Sequence, residues 1–495
     1  MRIPFAGQLG IAAGMLLLLL PALSSAQPQA GEVVIEQGTL RDEQGNPVAY
    51  EIGTLHVPEN RSKPGSRLIG VGFARIRARH ASEAPPIFWL PGGPGLSVLG
   101  AFASNDMGRL RTWLALANVA DLVVVEQRGY SVRGEQLLVR REAEALDQPA
   151  SVSASAREMK RRAHAAIAAH PDKDLSGYDI GAFADDVDAL RQALGYERIS
   201  LFGGSFGSQW SLAVMQKHPS RVARAVLSGV EPLNNGYDMP TPVYAALQRM
   251  AQDADRDPGL REDLPAGGMM AVIQALHNRF ARGPITTQVR NEDGSQTSVV
   301  LGAEDLQLAL LAHAAEPEAW PAHLLAVYRG DYARWAREVI EDRQGGDSIL
   351  IGPLVDSSLG VTAERERQLR HDPALPMLGR WNFEANIASA PDWPTRDMGD
   401  DFRTPVASAI PVVLVHGDWD TSTPIDNSLE LLPYFRRGHL IRVHRGGHDG
   451  AMYLLRNEPA VQEAVYGFLR TGSTEGLPEE VTLPAPAFER PAVVR

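Results

Sequence analysis

Short continuous apolar runs, each closed by turn-forming residues, mark the first half of the chain. Residues 86–90 (PIFWL) lead into the turn PGGPG, and residues 121–125 (DLVVV) lead into EQRG. Strands of a parallel sheet are covered on both faces and therefore read as unbroken apolar runs. These two segments predict buried parallel strands, and residues 33–35, 49–57 and 68–76 predict strands before them.

Helical spacing alternates with strand-like runs further along the chain. Apolar residues recur at every third or fourth position from Ile180 to Leu194, which predicts a helix that stops at Gly195. Residues 199–202 then predict a strand, residues 206–217 a helix and residues 225–227 another strand. This order predicts an α/β fold with a mostly parallel sheet and helices on both faces.

The alternation stops near residue 235. Helical spacing continues in residues 243–250, 271–280, 303–314 and 322–339, and buried-strand runs return at residues 410–415 and 440–443. We interpret the middle as a mostly helical cap inserted in one sheet. The predicted division is a core over residues 27–234, the cap over 235–400, the rest of the core over 401–470, and a Pro-rich tail over 471–495 that packs against or trails along the surface.

The first residues have the pattern of a targeting segment. Arg2 precedes an apolar run over residues 11–20, Pro21 follows it, and small residues stand at Ser24 and Ala26. This pattern predicts a secretory signal peptide over residues 1–26, with an uncleaved anchor as the alternative. We therefore expect an exported protein, periplasmic or extracellular, without a membrane span once the signal is removed.

Composition narrows the class of protein. Of 495 residues, 44% are hydrophobic and 22% charged, as in ordinary globular proteins. The chain has no cysteine, which excludes disulfides, thiolate metal ligands and thiol nucleophiles. With 48 Lys and Arg against 60 Asp and Glu, the formal charge is −12 and no basic tract occurs, which argues against a nucleic-acid partner.

The segment GGSFG at residues 203–207 lies where a predicted strand meets a predicted helix. A nucleophile elbow requires this context, because a sharp turn between small residues projects a serine hydroxyl above the sheet. Ser205 is therefore the candidate nucleophile. The alternative is a glycine-rich turn whose serine is buried, caps the helix or binds phosphate.

A serine nucleophile needs a base and a group that orients the base. In this architecture the acid and the histidine follow the serine in the chain, each in a loop after a strand. Asp420 follows the predicted strand at 410–415, and His448 follows the one at 440–443. Asp420 is the candidate acid and His448 the candidate base, with Asp418 in the same loop as the alternative acid.

An oxyanion hole needs two preorganised N–H donors. The backbone of Phe206, directly after the nucleophile, supplies one candidate. Gly93 in the PGGPG turn supplies the other, although such a run is also common in plain tight turns.

These motifs resemble the proline iminopeptidase and tripeptidyl aminopeptidase family of α/β-hydrolases. The resemblance is carried by GGPG at 92–95, EQRGYS at 126–131, GGSFG at 203–207, the Asp420 loop and His448, and GTLHVPEN at 53–60 is similar to the exported tripeptidyl aminopeptidase branch. Two positions depart from the family pattern: Glu126 stands where an Asp is usual, and Pro91 where proline iminopeptidases have His. The resemblance implies a serine exopeptidase that acts on a free peptide N-terminus beneath a helical cap.

An aminopeptidase must bind the ammonium group of its substrate, which carboxylates can do. Glu231 and Glu384 are the candidates, and for each the alternative is an ordinary solvated or paired acid.

Other functions remain open at this point: an esterase, lactonase or acylase with the same triad, or a binding protein without catalysis. The substrate is expected to be a peptide or another small acyl compound, and we expect no cofactor and no metal. Oligomeric state and side-chain preference stay open.

Overall fold

The computed structural model describes residues 28–234 and 237–491, so the predicted signal peptide lies outside the described residues. The strands are β1 (Val33–Arg41), β2 (Pro47–Pro58), β3 (Leu68–Ile76), β4 (Ile87–Leu90), β5 (Leu122–Val125), β6 (Leu138–Arg141), β7 (Ile199–Gly204), β8 (Val222–Ser228), β9 (Ile285–Arg290), β10 (Gln296–Leu301), β11 (Gly346–Ile349), β12 (Val412–Gly417), β13 (Gly438–His444) and β14 (Glu480–Thr482).

The helices are α1 (Gly100–Ser104), α2 (Met107–Leu116), α3 (Val152–Ala169), α4 (Ile180–Ala193), α5 (Phe206–Lys217), α6 (Pro240–Arg256), α7 (Gly268–Phe280), α8 (Ala303–His313), α9 (Trp320–Tyr328), α10 (Ala333–Asp342), α11 (Ile351–Leu359), α12 (Ala363–Arg370), α13 (Leu375–Leu378), α14 (Glu384–Ser389), α15 (Asp400–Arg403), α16 (Asp426–Leu431), α17 (Gly450–Asn457) and α18 (Pro459–Thr471). No helix among these described residues is long and apolar enough to cross a membrane.

A ten-stranded sheet forms the centre, in the order β1-β2-β3-β5-β4-β7-β8-β12-β13-β14. The pairs from β5 to β14 are parallel, whereas β1, β2, β3 and β5 pair antiparallel. The predicted mostly parallel sheet is confirmed. Because β7, β8, β12 and β13 are parallel neighbours, the loops after them open at the same edge of the sheet.

Each face of the sheet has its own apolar core. Along β5, Val123 and Val125 pack into one core with helices α3, α4, α5 and α11. Leu122 and Val124 point the other way, into a core with α1, α2, α17 and α18. This alternation follows from the two-residue period of a strand, and it confirms helices on both faces.

We call residues 237–411, between β8 and β12, the insert. Helices α6 to α10 and the hairpin β9–β10 share a third apolar core there. The expected helix over residues 322–339 is wrong as one element, because α9 and α10 are separate and Gly330 between them has φ +90°. Only glycine adopts that conformation readily, so the chain turns at this point.

Two backbone pairings were not anticipated from the sequence. Strand β11 of the insert pairs antiparallel with β6 of the preceding segment. In the Pro-rich tail, β14 adds to the central sheet beside β13, and Leu477 and Leu483 enter its core. The tail therefore completes one edge of the sheet.

Candidate active site

Ser205 lies at a sharp turn between β7 and α5. Its backbone has φ +55° and ψ −133°, which a residue with a side chain rarely adopts. The flanking glycines permit the turn, because a Cβ on Gly203 would lie 2.1 Å from the Gly207 carbonyl oxygen, and one on Gly207 would lie 2.0 Å from that of Leu90. The sequence motif thus corresponds to a tight contact between strand, elbow and helix.

His448 and Asp420 meet at the same edge of the sheet. Asp420 follows β12, His448 follows β13, and His448 Nδ1 lies 2.9 Å from Asp420 Oδ2. This contact leaves His448 Nε2 as the ring nitrogen that can face a substrate or a nucleophile. Ser205 and His448 both line one cavity of about 440 Å³.

Asp420 is buried and fully hydrogen-bonded. Its Oδ1 accepts from the backbone N–H groups of Ser422 and Thr423, each at 2.9 Å, and its Oδ2 accepts from the Thr423 hydroxyl at 2.8 Å. Burial opposes ionisation, but the contacts with His416 and His448 outweigh it and hold the pKa of Asp420 far below its usual range. The carboxylate is therefore a fixed negative charge beside His448.

Asp418, the alternative acid, has other partners. Its Oδ2 lies 2.9 Å from His444 Nδ1, and its Oδ1 accepts from the backbone N–H of Arg445 at 2.9 Å. The structure pairs Asp420, and not Asp418, with His448.

The Ser205 hydroxyl donates to Glu231 Oε1 at 3.4 Å, a long hydrogen bond. Among the hydrogen bonds of the described residues, none joins it to His448 directly. Glu231 follows β8, so it lies at the same edge of the sheet as the serine and the histidine. Glu231, one of the two acids proposed from the sequence, thus lies against the candidate nucleophile.

Two further acids act electrostatically on Glu231. Burial, followed by the negative charge of Asp238, raises the pKa of Glu231 to about 8, and Asp356 adds to the shift. Burial likewise raises the pKa values of Asp238 and Asp356 to about 7. Three partly buried carboxyl groups therefore share a region beside the serine, in which a cation would relieve their repulsion.

Amide side chains hold two of these acids. Asn427 donates to Asp238 Oδ1 at 2.8 Å, and Asn386 of the insert donates to Asp356 Oδ2 at 3.5 Å. Glu384, the other acid proposed from the sequence, instead forms an ion pair with Arg370 at 2.6 Å. The segment around Glu384 contacts the acidic group through Asn386.

The PGGPG turn lies against the nucleophile. A Cβ on Gly92 would be 3.2 Å from Ser205 Cβ, and Gly93 follows with φ +112°. Gln127 fixes the turn, since its side chain donates to the Gly92 carbonyl at 2.7 Å and accepts from the Gly95 N–H at 2.6 Å.

Glu126 is fully buried and organises the loops around this turn. Its Oε1 accepts from the backbone N–H groups of Val98 and Leu99, both at 3.1 Å, and its Oε2 accepts from Ser131 Oγ at 2.6 Å. Glu126, which stands where the family usually has the shorter Asp, therefore has a structural role.

Comparison with known proteins gives the family. A family model described as the alpha/beta hydrolase fold matches residues 153–452, from α3 to α17. The chain belongs to this α/β-hydrolase family. The mostly parallel sheet and the strand–elbow–helix arrangement at Ser205 fit this membership.

Relatives of this α/β-hydrolase include peptidases. It is 21% identical over 485 residues to a tripeptidyl aminopeptidase of Streptomyces coelicolor, covering 90% of this chain and 85% of the relative. It is 38% identical over 60 residues to a proline iminopeptidase of Xylella fastidiosa, covering 12% and 19%. These relatives confirm the family resemblance found in the motifs. A solved serine hydrolase from Cycloclasticus zankles is 12% identical, with a TM-score of 0.35 over 85% of this chain and 99% of that structure.

Proposed function

We propose that this α/β-hydrolase is a serine aminopeptidase. His448 Nε2 takes the proton of the Ser205 hydroxyl, and Ser205 attacks the carbonyl of the scissile peptide bond. The Gly93 and Phe206 N–H groups stabilise the oxyanion. His448 then protonates the leaving amine, and water releases the acyl group by the same steps in reverse order. Asp420 holds His448 in the tautomer whose Nδ1–H donates to the carboxylate.

The contact between Ser205 Oγ and Glu231, at 3.4 Å, is the observation that supports an aminopeptidase most directly. In a substrate that loses one residue, the α-ammonium group is next to the scissile carbonyl, and a carboxylate so close to the nucleophile lies where that group would come. Glu231 then gains a cationic partner, which is a stronger one than a hydroxyl group. The Ser205 hydroxyl is thereby freed to turn towards His448.

The acidic surroundings distinguish this function from ester hydrolysis. Burying Glu231, Asp238 and Asp356 as carboxylates is unfavourable, as their raised pKa values express, and the charges of Asp238 and Asp356 add to the shift at Glu231. A neutral ester gains nothing from such a cluster, whereas an ammonium ion does. The names of the peptidase relatives support the same function.

Several predictions from the sequence enter the proposal unchanged. The proposal that the protein is exported rests on the predicted signal peptide at residues 1–26. The proposal that the insert covers the substrate as a cap rests on the family resemblance. Asp238 and Asp356, whose charges act on Glu231, both belong to the insert, which supports such a role.

The proposal is tested with arylamides of amino acids and tripeptides, each with a free or acetylated N-terminus, alongside simple aryl esters. We expect hydrolysis of the free-amine arylamides and a loss of at least about a hundredfold in kcat/KM on acetylation, since the blocked substrate leaves the acids unpaired. The lengths of the cleaved substrates decide between release of one residue and release of a tripeptide.

Ser205→Ala is the matched variant for this panel. It should abolish turnover of every substrate while the far-UV circular dichroism stays that of the wild type. Turnover of esters without turnover of any free-amine arylamide would contradict the aminopeptidase and favour an esterase. Activity that survives in Ser205→Ala would contradict the assigned nucleophile.

A further inference from the structure

Three consecutive helices of the insert bring metal-binding side chains together. His313 ends α8, His323 lies on α9 and Glu338 lies on α10. One ring nitrogen or carboxylate oxygen from each residue lies within 4.8 Å of those of the other two. None of the three belongs to the candidate active site.

The geometry is close to that of a chelating site. His313 Nε2 lies 2.9 Å from Glu338 Oε2, and the two imidazole rings stack with centroids 3.5 Å apart. In a tetrahedral zinc site with bonds of about 2.1 Å, neighbouring ligand atoms are about 3.4 Å apart. The ligand atoms, 2.9 Å apart for one pair and within 4.8 Å for all, bracket this spacing, and rotation of the stacked imidazoles would place all three around one ion.

His323 has an unmet hydrogen-bonding requirement. Its side chain is buried, with 4% of the residue exposed, and within the part of the chain that the structure describes its Nε2 has no hydrogen-bond partner. A metal ion bound at this nitrogen would satisfy it.

We propose that His313, His323 and Glu338 bind a divalent transition metal ion, with zinc as the probe of choice. Two imidazoles and one carboxylate suit borderline ions of this kind. His313 and Glu338 also line a cavity of about 450 Å³, through which a water molecule can reach the ion and complete the coordination.

Arg334 is the charge that opposes this site. Its Nε donates to Glu338 Oε1 at 2.8 Å, which leaves Oε2, the oxygen nearer to His313, for the ion. The guanidinium thus orients the carboxylate while its charge weakens cation binding. Arg334→Gln keeps a donor, removes the charge, and should bind zinc several-fold more tightly than the wild type.

Such an ion would add a further connection between α8, α9 and α10, beyond their apolar packing and the contact between His313 and Glu338. Binding to the folded state alone stabilises it by mass action. Zinc should therefore raise the melting temperature while hydrolysis by the separate Ser205 site stays unchanged. This site is hard to predict from the sequence, because its ligands come from three helices and form no short spacing motif.

The test uses tag-free full-length protein, stripped with a chelator and titrated with zinc chloride by calorimetry. Cobalt(II) is the spectroscopic probe, because visible absorption reports its coordination geometry. We expect one ion per chain in the wild type. His323→Ala and Glu338→Gln should each weaken zinc binding by more than about a hundredfold, since even indirect partners of a metal are worth 10–100-fold.

His277→Ala is the matched control. His277 on α7 also has a buried Nε2 that finds no partner among the described residues, but it does not belong to the three-residue group. It should keep wild-type affinity for zinc. Absence of zinc binding by the wild type, or unchanged affinity in Glu338→Gln, overturns the site. Because Glu338 is partly exposed and Gln has its shape, this variant is decisive even if His323→Ala fails to fold.

Discussion

At the scale of single residues, Glu231 interacts with both the candidate nucleophile and the candidate base. It accepts from Ser205 Oγ, and its charge acts on His448. Burial opposes the charged form of His448, but Asp420 and then Glu231 outweigh it and raise the pKa of His448 to about 9. One carboxylate therefore affects both the position of the nucleophile and the basicity of the base.

Replacing Glu231 with Gln should shift the pH dependence of ester hydrolysis. The neutral form of His448 is the base, so kcat/KM of the wild type rises with pH through the pKa of about 9. Gln removes a negative charge that favours the imidazolium, which lowers this pKa and moves the acid limb to lower pH. The measurement is a pH profile of kcat/KM for an aryl ester, which needs no ammonium anchor.

Glu384→Gln provides the comparison. Because Glu384 is paired with Arg370, its neutralisation should leave the acid limb in place. Activity on free-amine arylamides should fall in Glu231→Gln and stay near wild type in Glu384→Gln. An acid limb that does not move in Glu231→Gln would show that this acid has no electrostatic link with the base.

At the scale of elements, the contact between β7 and α5 depends on one glycine more than on its neighbour. A Cβ on Gly203 would lie 2.1 Å from the backbone oxygen of Gly207, whereas one on Gly204 would meet nothing closer than 3.9 Å. Gly203→Ala should therefore lower the free energy of unfolding by about 1–3 kcal/mol or more and displace the elbow. Gly204→Ala should melt within a few degrees of the wild type. Thermal melting of both variants measures the difference, and equal melting temperatures would contradict it.

The sequence predicted the elements whose apolar pattern is strong. Strands β4, β5, β7 and β12 are buried on both faces, and the helix α4 has a continuous apolar face, so their patterns are distinct. The helix α3 was not predicted, because its buried residues are alanines, Ala163 and Ala166, which give a weak periodicity. Strands β6 and β11 are short and polar, and only their pairing across the chain makes them strands.

Some residues of the candidate site could likewise be predicted from the sequence, and others could not. Ser205, Asp420 and His448 could be located because each follows a strand in a motif or loop of recognisable type. Thr423, which donates to Asp420, and the acids Asp238 and Asp356 could not. Their importance lies in three-dimensional proximity and burial, and a single acidic residue in a chain with 60 of them carries no local signal.

At the scale of the whole molecule, Arg128 joins three separate segments. Its guanidinium is fully buried, forms two hydrogen bonds of 2.7 Å with Asp186 on α4, and donates to the Glu59 carbonyl at 2.8 Å. Without Arg128, the buried Asp186 keeps only the partly exposed Arg61 of its two arginine partners, and the Glu59 carbonyl loses a donor. The loop after β5, the end of β2 and α4 all depend on this side chain.

Arg128→Ala should lower the free energy of unfolding by about 3–5 kcal/mol. Urea denaturation measures this change. The control is Arg161→Ala, which removes an exposed ion pair with Glu158 and should change stability by less than about 1 kcal/mol. Similar losses in the two variants would mean that Arg128 does not hold the segments together.

The backbone conformation of Ser205 destabilises the fold, whereas the proposed reaction requires the serine side chain at this position. Its φ of +55° is comfortable for glycine and costs a serine about 1–3 kcal/mol. Selection for a more robust fold alone would therefore favour replacement of the residue that the proposed reaction cannot lose. Persistence of a serine there over evolutionary time requires a continuing demand for its hydroxyl, and lineages released from that demand should drift towards glycine at this position.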